Sequence, residues 1–210
     1  MQMVFVGIGA GVAAALLFLA PASGSLLAFP LFALTGLPIA IAALGWGLPV
    51  GAIASVAGAA VIMGIIPAGY APFVFLILFG APVVWLARLV GMSRMVDDAR
   101  EWFPVGRILF HAAIAIGIAL AISGVLTGFD PQGVTNDASA AVAKWLAAAQ
   151  TDTPPPTAAE IEPIMRLYVR FMPALLALLM VAITLLDLWL ATLITRASGR
   201  FERPRERLWT

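Results

Sequence analysis

Residues 36 to 66 read "GLPIAIAALGWGLPVGAIASVAGAAVIMGII", a run with no charged side chain and one glycine-bounded break, "GWG". Extending the window in both directions finds no charge from residue 1 to residue 87; Arg88 is the first. Soluble domains carry charge on about a quarter of their residues. Here 11% are charged and 62% hydrophobic, and the mean hydropathy is +1.04. A surface built from so few charges is not soluble in water but needs none in lipid, so the sequence describes an all-α integral membrane protein. The net charge of +1 therefore carries no information about partners, and the absence of cysteine removes disulfides, thiolate metal sites and cysteine nucleophiles.

About 20 apolar residues cross a hydrocarbon layer of roughly 30 Å. Glycine and proline divide the charge-free block into four such spans, 3–20, 25–44, 48–66 and 71–87, separated by "PASG", "GWG" and "PAGY". A fifth is expected over 104–126 and a sixth over 167–195. All should be helical, because an unpaired backbone amide in lipid costs several kcal/mol and the runs lack the alternation of barrel strands. The first segment has no positive n-region and is followed at once by a second, so it reads as a retained span rather than a signal peptide.

Arginines set the expected orientation. Arg88, Arg94, Arg100 and Arg107 fall in or beside the 88–103 connection, and Arg196, Arg200, Arg203, Arg205 and Arg207 fall in the 196–210 tail, while residues 128–165 hold only Lys144. The positive-inside rule then places both termini and the 88–103 connection in the cytoplasm and 128–165 outside. In a bacterial inner membrane, five of the six tryptophans (Trp46, Trp85, Trp102, Trp189, Trp209) would lie at the cytoplasmic interface.

Both polar connections carry helix signals. "SRMVDDAREWFPVGR" (93–107) reads as a short helix with Ser93 as cap and Arg94 paired to Asp98 at i, i+4. "NDASAAVAKWLAAAQ" (136–150) reads as a short amphipathic helix that can lie on the membrane surface with Lys144 and Trp145 at the headgroups. "TDTPPPT" behind it is a stiff linker, and Thr157 with Glu160 forms a T-x-x-E capping box for the helix entering the sixth span.

Few side chains within the spans can do chemistry. Asp187 in "ITLLDLWLATLITR" (183–196) and His111 in the fifth span are ionisable, with Arg107 near the end of the fifth. Each costs roughly 2.5–3.5 kcal/mol at the membrane centre on insertion scales and should find a partner. His111 lies about 10 Å and Asp187 about 13 Å from the expected cytoplasmic ends of their helices. An intramembrane polar cluster of Asp187, His111 and Arg107 is therefore expected, with Asp187 neutralised by Arg107 or His111 or itself protonated, acting as a clasp between helices or as a relay. Small residues at four-residue spacing, Gly7 and Gly11 with Ala10 and Ala14 in the first span and Gly47 and Gly51 in the third, suit close helix packing or the docking of a partner. Pro30 and the sequence Gly36-Leu37-Pro38 should kink or unwind the second span near 35–38, and broken helices are where transporters expose backbone groups to ligands. Thr35, Tyr70, Ser123 and Thr127 are the expected lining groups of any substrate cavity. No zinc-protease helix, phosphate loop or serine elbow is present, and one histidine makes no multi-histidine metal site. The chain thus reads as a non-enzyme without cofactor or metal, and its basic residues are explained by topology rather than nucleic acid.

At "GLPIAIAALGWG" (36–47), "EWFPVGR" (101–107) and "LLDLWLATLITRASGR" (185–200) the chain resembles the YybS-like family, bacterial multi-pass membrane proteins of unknown function. Members often carry asparagine where Asp187 stands, which speaks against an obligatory proton relay, and continue with further spans, which implies a short or truncated member here. The family is distantly similar to the S components of energy-coupling-factor transporters, six-span bundles that dock on a partner through small residues of the first span. That resemblance implies a small-molecule-binding transporter subunit working with an ATPase partner, with Ala10 and Ala14 as its docking motif. The other reading is a non-transporting scaffold or assembly factor of the cell envelope. An outward-facing cavity separates the two.

Overall fold

The structure, a computed structural model, describes residues 1–67, 69–97, 99–148 and 155–202. Among these it contains six helical segments long and apolar enough to cross a membrane: Gln2–Ser23, Ala28–Trp46, Leu48–Ile65, Ala71–Gly91, Val105–Thr127 and Ala158–Ala197. The protein is an all-α membrane bundle. Its core is small-residue rich, with Ala14, Ala15, Ile39, Ala40, Ala54, Ile62, Phe75 and Leu86 fully enclosed.

Helix α1 (Gln2–Leu19) lies against α4 (Leu48–Ile65) in the most intimate contact of the bundle. A Cβ placed on Gly11 would come within 2.4 Å of the Ala54 carbonyl and 2.8 Å of the Gly58 nitrogen, so the two backbones touch. Gly51 of α4 meets Ala43 in the same way. Without a hydrophobic drive between helices in lipid, this close approach supplies the packing energy. Opposite the end that carries Arg88 and Arg196, Phe18, Phe32, Phe75 and Phe79 form an aromatic knot with edge-on contacts at 5.4–6.0 Å between centroids.

The second span is two helices, α2 (Ala28–Ala33) and α3 (Gly36–Trp46). Pro38 has no N–H for the Leu34 carbonyl and its ring crowds that oxygen, so one helix cannot run through. At the third position of α3, where no intrahelical donor is required, the same proline is harmless. Thr35 is fully buried at the break, and its hydroxyl donates to the Phe32 carbonyl at 2.6 Å. The fourth span divides likewise into α5 (Ala71–Phe75), a π-helical turn (Leu76–Gly80) and α6 (Ala81–Gly91). Pro82 cannot donate to Leu78, and widening the preceding turn accommodates it.

Residues 93–102 are not the expected helix. They form an antiparallel hairpin, β1 (Ser93–Val96) and β2 (Ala99–Trp102), with Ser93 opposite Trp102. Arg94 pairs across the strands with Glu101 at 2.8 Å; its expected partner Asp98 lies outside the described residues. Asp97 turns the chain with φ 46°, a conformation aspartate tolerates better than most residues. The chain leaves the last span through Gly199 (φ 69°), folds back, and sets the Arg200 guanidinium 4.3 Å from the centre of the Trp46 ring and Glu202 on Arg100 at 2.8 Å. Residues 203–210 of the basic tail lie outside the described residues.

Beyond α7 (Val105–Thr127), Asp130 caps α8 (Pro131–Ala148) by accepting the Gln132 and Gly133 amides at 3.1 and 2.9 Å. Helix α8 starts five residues earlier than the sequence suggests and packs along the first part of α9 (Ala158–Ala197), burying Thr135 and Ser139. Residues 149–154, most of the expected linker, lie outside the described residues. The Thr157–Glu160 capping box is present at the start of α9. At 40 residues, α9 is about 60 Å long, twice the hydrocarbon thickness. Its stretch between Arg170 and Arg196 holds one ionisable residue, Asp187, and is the part suited to lipid. The preceding turns, which carry Glu160, Glu162, Arg166 and Arg170, form a helical hairpin with α8.

Candidate functional site

Two polar features stand inside the bundle. The first is at Asp187, which α9 carries to the break in the second span. Its side chain is fully buried, and Oδ2 accepts the Gly36 N–H at 3.0 Å, across 151 residues of sequence. Gly36 opens α3, so its amide has no partner within its own helix. The carboxyl group therefore caps a helix on another span, where the helix dipole also favours an acid. The fit requires glycine: a Cβ at position 36 would lie 2.7 Å from Asp187 Oδ2 and 3.0 Å from Val83 Cγ2. Asp187 Oδ1 is buried with no hydrogen-bond partner among the described residues.

The expected polar cluster is not assembled. His111 is half-buried on α7, its Nδ1 donates to the Arg107 carbonyl at 2.7 Å, and its ring lies among Trp85, Phe103 and Phe110 at 5.9–6.4 Å. The Arg107 side chain is exposed, and neither residue meets Asp187. The acid takes a backbone donor instead of a side-chain cation because the broken helix leaves one free at its own depth. Gly36 is the residue that sequence reasoning passed over, although the proline-bounded break that frees its amide was visible.

The second feature is a pair of adjoining clefts at the end of the bundle opposite Arg88 and Arg196, near Arg170 of α9. One, of about 180 Å³, is lined by Val74, Ser123, Thr127, Phe129, Met172 and Leu176 among others, so spans four, five and six all contribute. Its neighbour, of about 440 Å³, shares Leu120, Gly124, Phe129 and Pro173 with it. The walls are apolar. Thr127 satisfies its hydroxyl on the Ser123 carbonyl at 2.9 Å, while the Ser123 hydroxyl is buried and has no partner among the described residues. An unpaired buried hydroxyl costs about 1–3 kcal/mol, an amount recoverable by any ligand that bonds it.

Of the four expected lining residues, Ser123 and Thr127 come together here, Thr35 is sealed at the helix break, and Tyr70 is exposed at the start of α5. The small-residue stripes face inward. Gly7, Gly11, Ala14 and Gly51 are buried in helix contacts, and Ala10 and Gly47 are half-buried. Among the described residues no group of three His, Cys, Asp or Glu could hold a metal ion. No protein-family model, curated protein or solved structure matches this chain.

Proposed function

We propose that this protein is a membrane-embedded binding subunit for a small, mainly apolar molecule, which enters the cleft between α5, α7 and α9 and bonds the Ser123 hydroxyl. The observation that carries the reading is that unpartnered hydroxyl, enclosed in a cleft to which three spans contribute. Ligand pockets are mostly apolar, with a few placed polar groups that fix orientation. With the arginine end in the cytoplasm of a bacterial cell, as the positive-inside rule has it, the cleft opens outward. Energy for transport would come from a partner ATPase, in keeping with the resemblance of the chain to YybS-like proteins and, distantly, to vitamin-transporter S components. Docking through Ala10 and Ala14 has no place in this reading, since Ala14 is consumed in the bundle. The subunit binds and does no chemistry of its own.

Extraction from native membranes followed by mass spectrometry of bound small molecules tests this. A stoichiometric ligand is expected with the wild type. Ser123→Ala removes one hydrogen bond, worth 0.5–1.5 kcal/mol, and should weaken binding by up to about tenfold. Gly124→Leu fills the cleft and should abolish it. Equal retention by all three proteins defeats the proposal. A scaffold reading draws on a different observation: Trp145, Ile164, Leu167 and Tyr168 stand exposed on the α8–α9 hairpin, and a ligand-free preparation carrying envelope proteins would favour it.

A further inference from the structure

A separate groove of about 590 Å³ runs along the outside of the bundle between α4 and the fourth span. Its mouth, at the arginine end, is formed by Arg88, Trp85, Leu48 and Pro49, and it reaches inward past Ala52 and Val56 to Leu76. Arg88 and Leu76 are separated by about 18 Å along the helix axis, the scale of an acyl chain. Where Gly80 approaches Ser55, a Cβ on the glycine would lie 3.1 Å from the serine Cβ, and the serine hydroxyl is turned onto the Gly51 carbonyl at 3.0 Å. The groove therefore has an apolar floor. Its rim is cationic. Arg88 sits over the Trp85 ring at 5.9 Å, Trp85 meets His111 of α7 at 6.4 Å, and His111 is bonded to the backbone of Arg107. Arg88 and Arg107 are both exposed, and among the described residues neither has a carboxylate partner, unlike Arg94, Arg100 and Arg166.

We infer that this groove is a binding site for one anionic phospholipid, its acyl chain lying between α4 and α6 and its phosphate held by Arg88 at the mouth beside Trp85; Arg107 lines a separate cleft with Arg94 and Glu101. Charge complementarity selects the headgroup, because an unpaired guanidinium at a membrane surface attracts an anionic lipid and offers nothing to a zwitterionic one beyond its phosphate. The apolar floor selects a hydrocarbon tail over a polar segment of protein. The site is distinct from the cleft containing Ser123 and does not depend on it.

Native mass spectrometry of the full chain, released from detergent doped with equal amounts of phosphatidylglycerol and phosphatidylcholine, reads this out. The wild type should retain one phosphatidylglycerol in preference. Arg88→Gln should reduce that preference by about fivefold, whereas Arg107→Gln, in the separate cleft, should leave it unchanged. Val56→Trp, at an exposed position in the groove, should remove the bound lipid while leaving Arg88 intact. Equal retention of the two lipids by the wild type, or unchanged retention in both Arg88→Gln and Val56→Trp, overturns the assignment. So does a protein that copurifies with the wild type, crosslinks to the groove and displaces the lipid.

Discussion

Asp187→Ala is expected to be less stable than Asp187→Asn by about 1–3 kcal/mol. Both substitutions remove the ionisable group from the bundle, so any gain from that removal cancels in the comparison. What differs is the acceptor. Asparagine keeps an oxygen for the Gly36 N–H, now at 3.0 Å from the aspartate, whereas alanine leaves the first amide of α3 buried without a partner. The small void left by alanine acts in the same direction. Unfolding in mixed micelles measures the stability difference, and amide exchange at Gly36 locates it, since protection should fall in the alanine variant alone. Equal stability together with equal protection would mean that the carboxyl group does not cap the helix.

Gly11→Leu is expected to cost about 3 kcal/mol or more, through overpacking at a contact where neither side can yield. The atoms in the way are the Ala54 carbonyl at 2.4 Å and the Gly58 nitrogen at 2.8 Å, both backbone. Gly9 lies two residues away on the same helix with nothing within 4 Å of its Cβ position. Gly9→Leu should therefore leave stability within about 0.5 kcal/mol of the wild type, as surface substitutions do. The two variants have the same composition and hydropathy, so comparing them tests the α1–α4 seam alone, and a similar loss in both would place the seam elsewhere.

Both expectations depend on features the sequence shows unequally. The helical spans are legible because lipid demands long uncharged runs, and the break at 36–38 is legible because proline removes a donor wherever it stands. The burial of Asp187 is legible from its neighbours. Its partner is not, because a search of the sequence for a counter-group considers side-chain charges, and the donor is a main-chain amide 151 residues away. Combining the two visible facts, a helix break that frees amides and an acid in need of a donor, would have found it.

Elsewhere the competing patterns are local. In "SRMVDDAREW" the Arg94–Asp98 spacing suits a helix, but the two central aspartates suit a tight turn that sets Arg94 against Glu101, and over ten residues neither periodicity dominates. The amphipathic character of 136–150 is plain, yet it does not say whether the apolar side meets lipid or another helix. The distance from the capping box to Arg196 did hold that information. A helix begun at Thr157 outruns the bilayer and leaves turns outside for α8 to cover. Ser123 and Thr127 could be listed from sequence as polar groups near a span end, but only packing shows that one satisfies its hydroxyl locally and the other does not.

The six-span arrangement is the claim on which the sites depend, and the absence of cysteine makes it directly measurable. Single cysteines at Ser23, Asn136, Ser93 and Ser198 would each be the sole thiol, open to an impermeant maleimide from one side of a sealed membrane. The account predicts that Ser23→Cys and Asn136→Cys label from outside, and that Ser93→Cys and Ser198→Cys label only after the membrane is opened. Labelling of positions 93 and 198 from opposite faces, or of 136 together with 93, would contradict it.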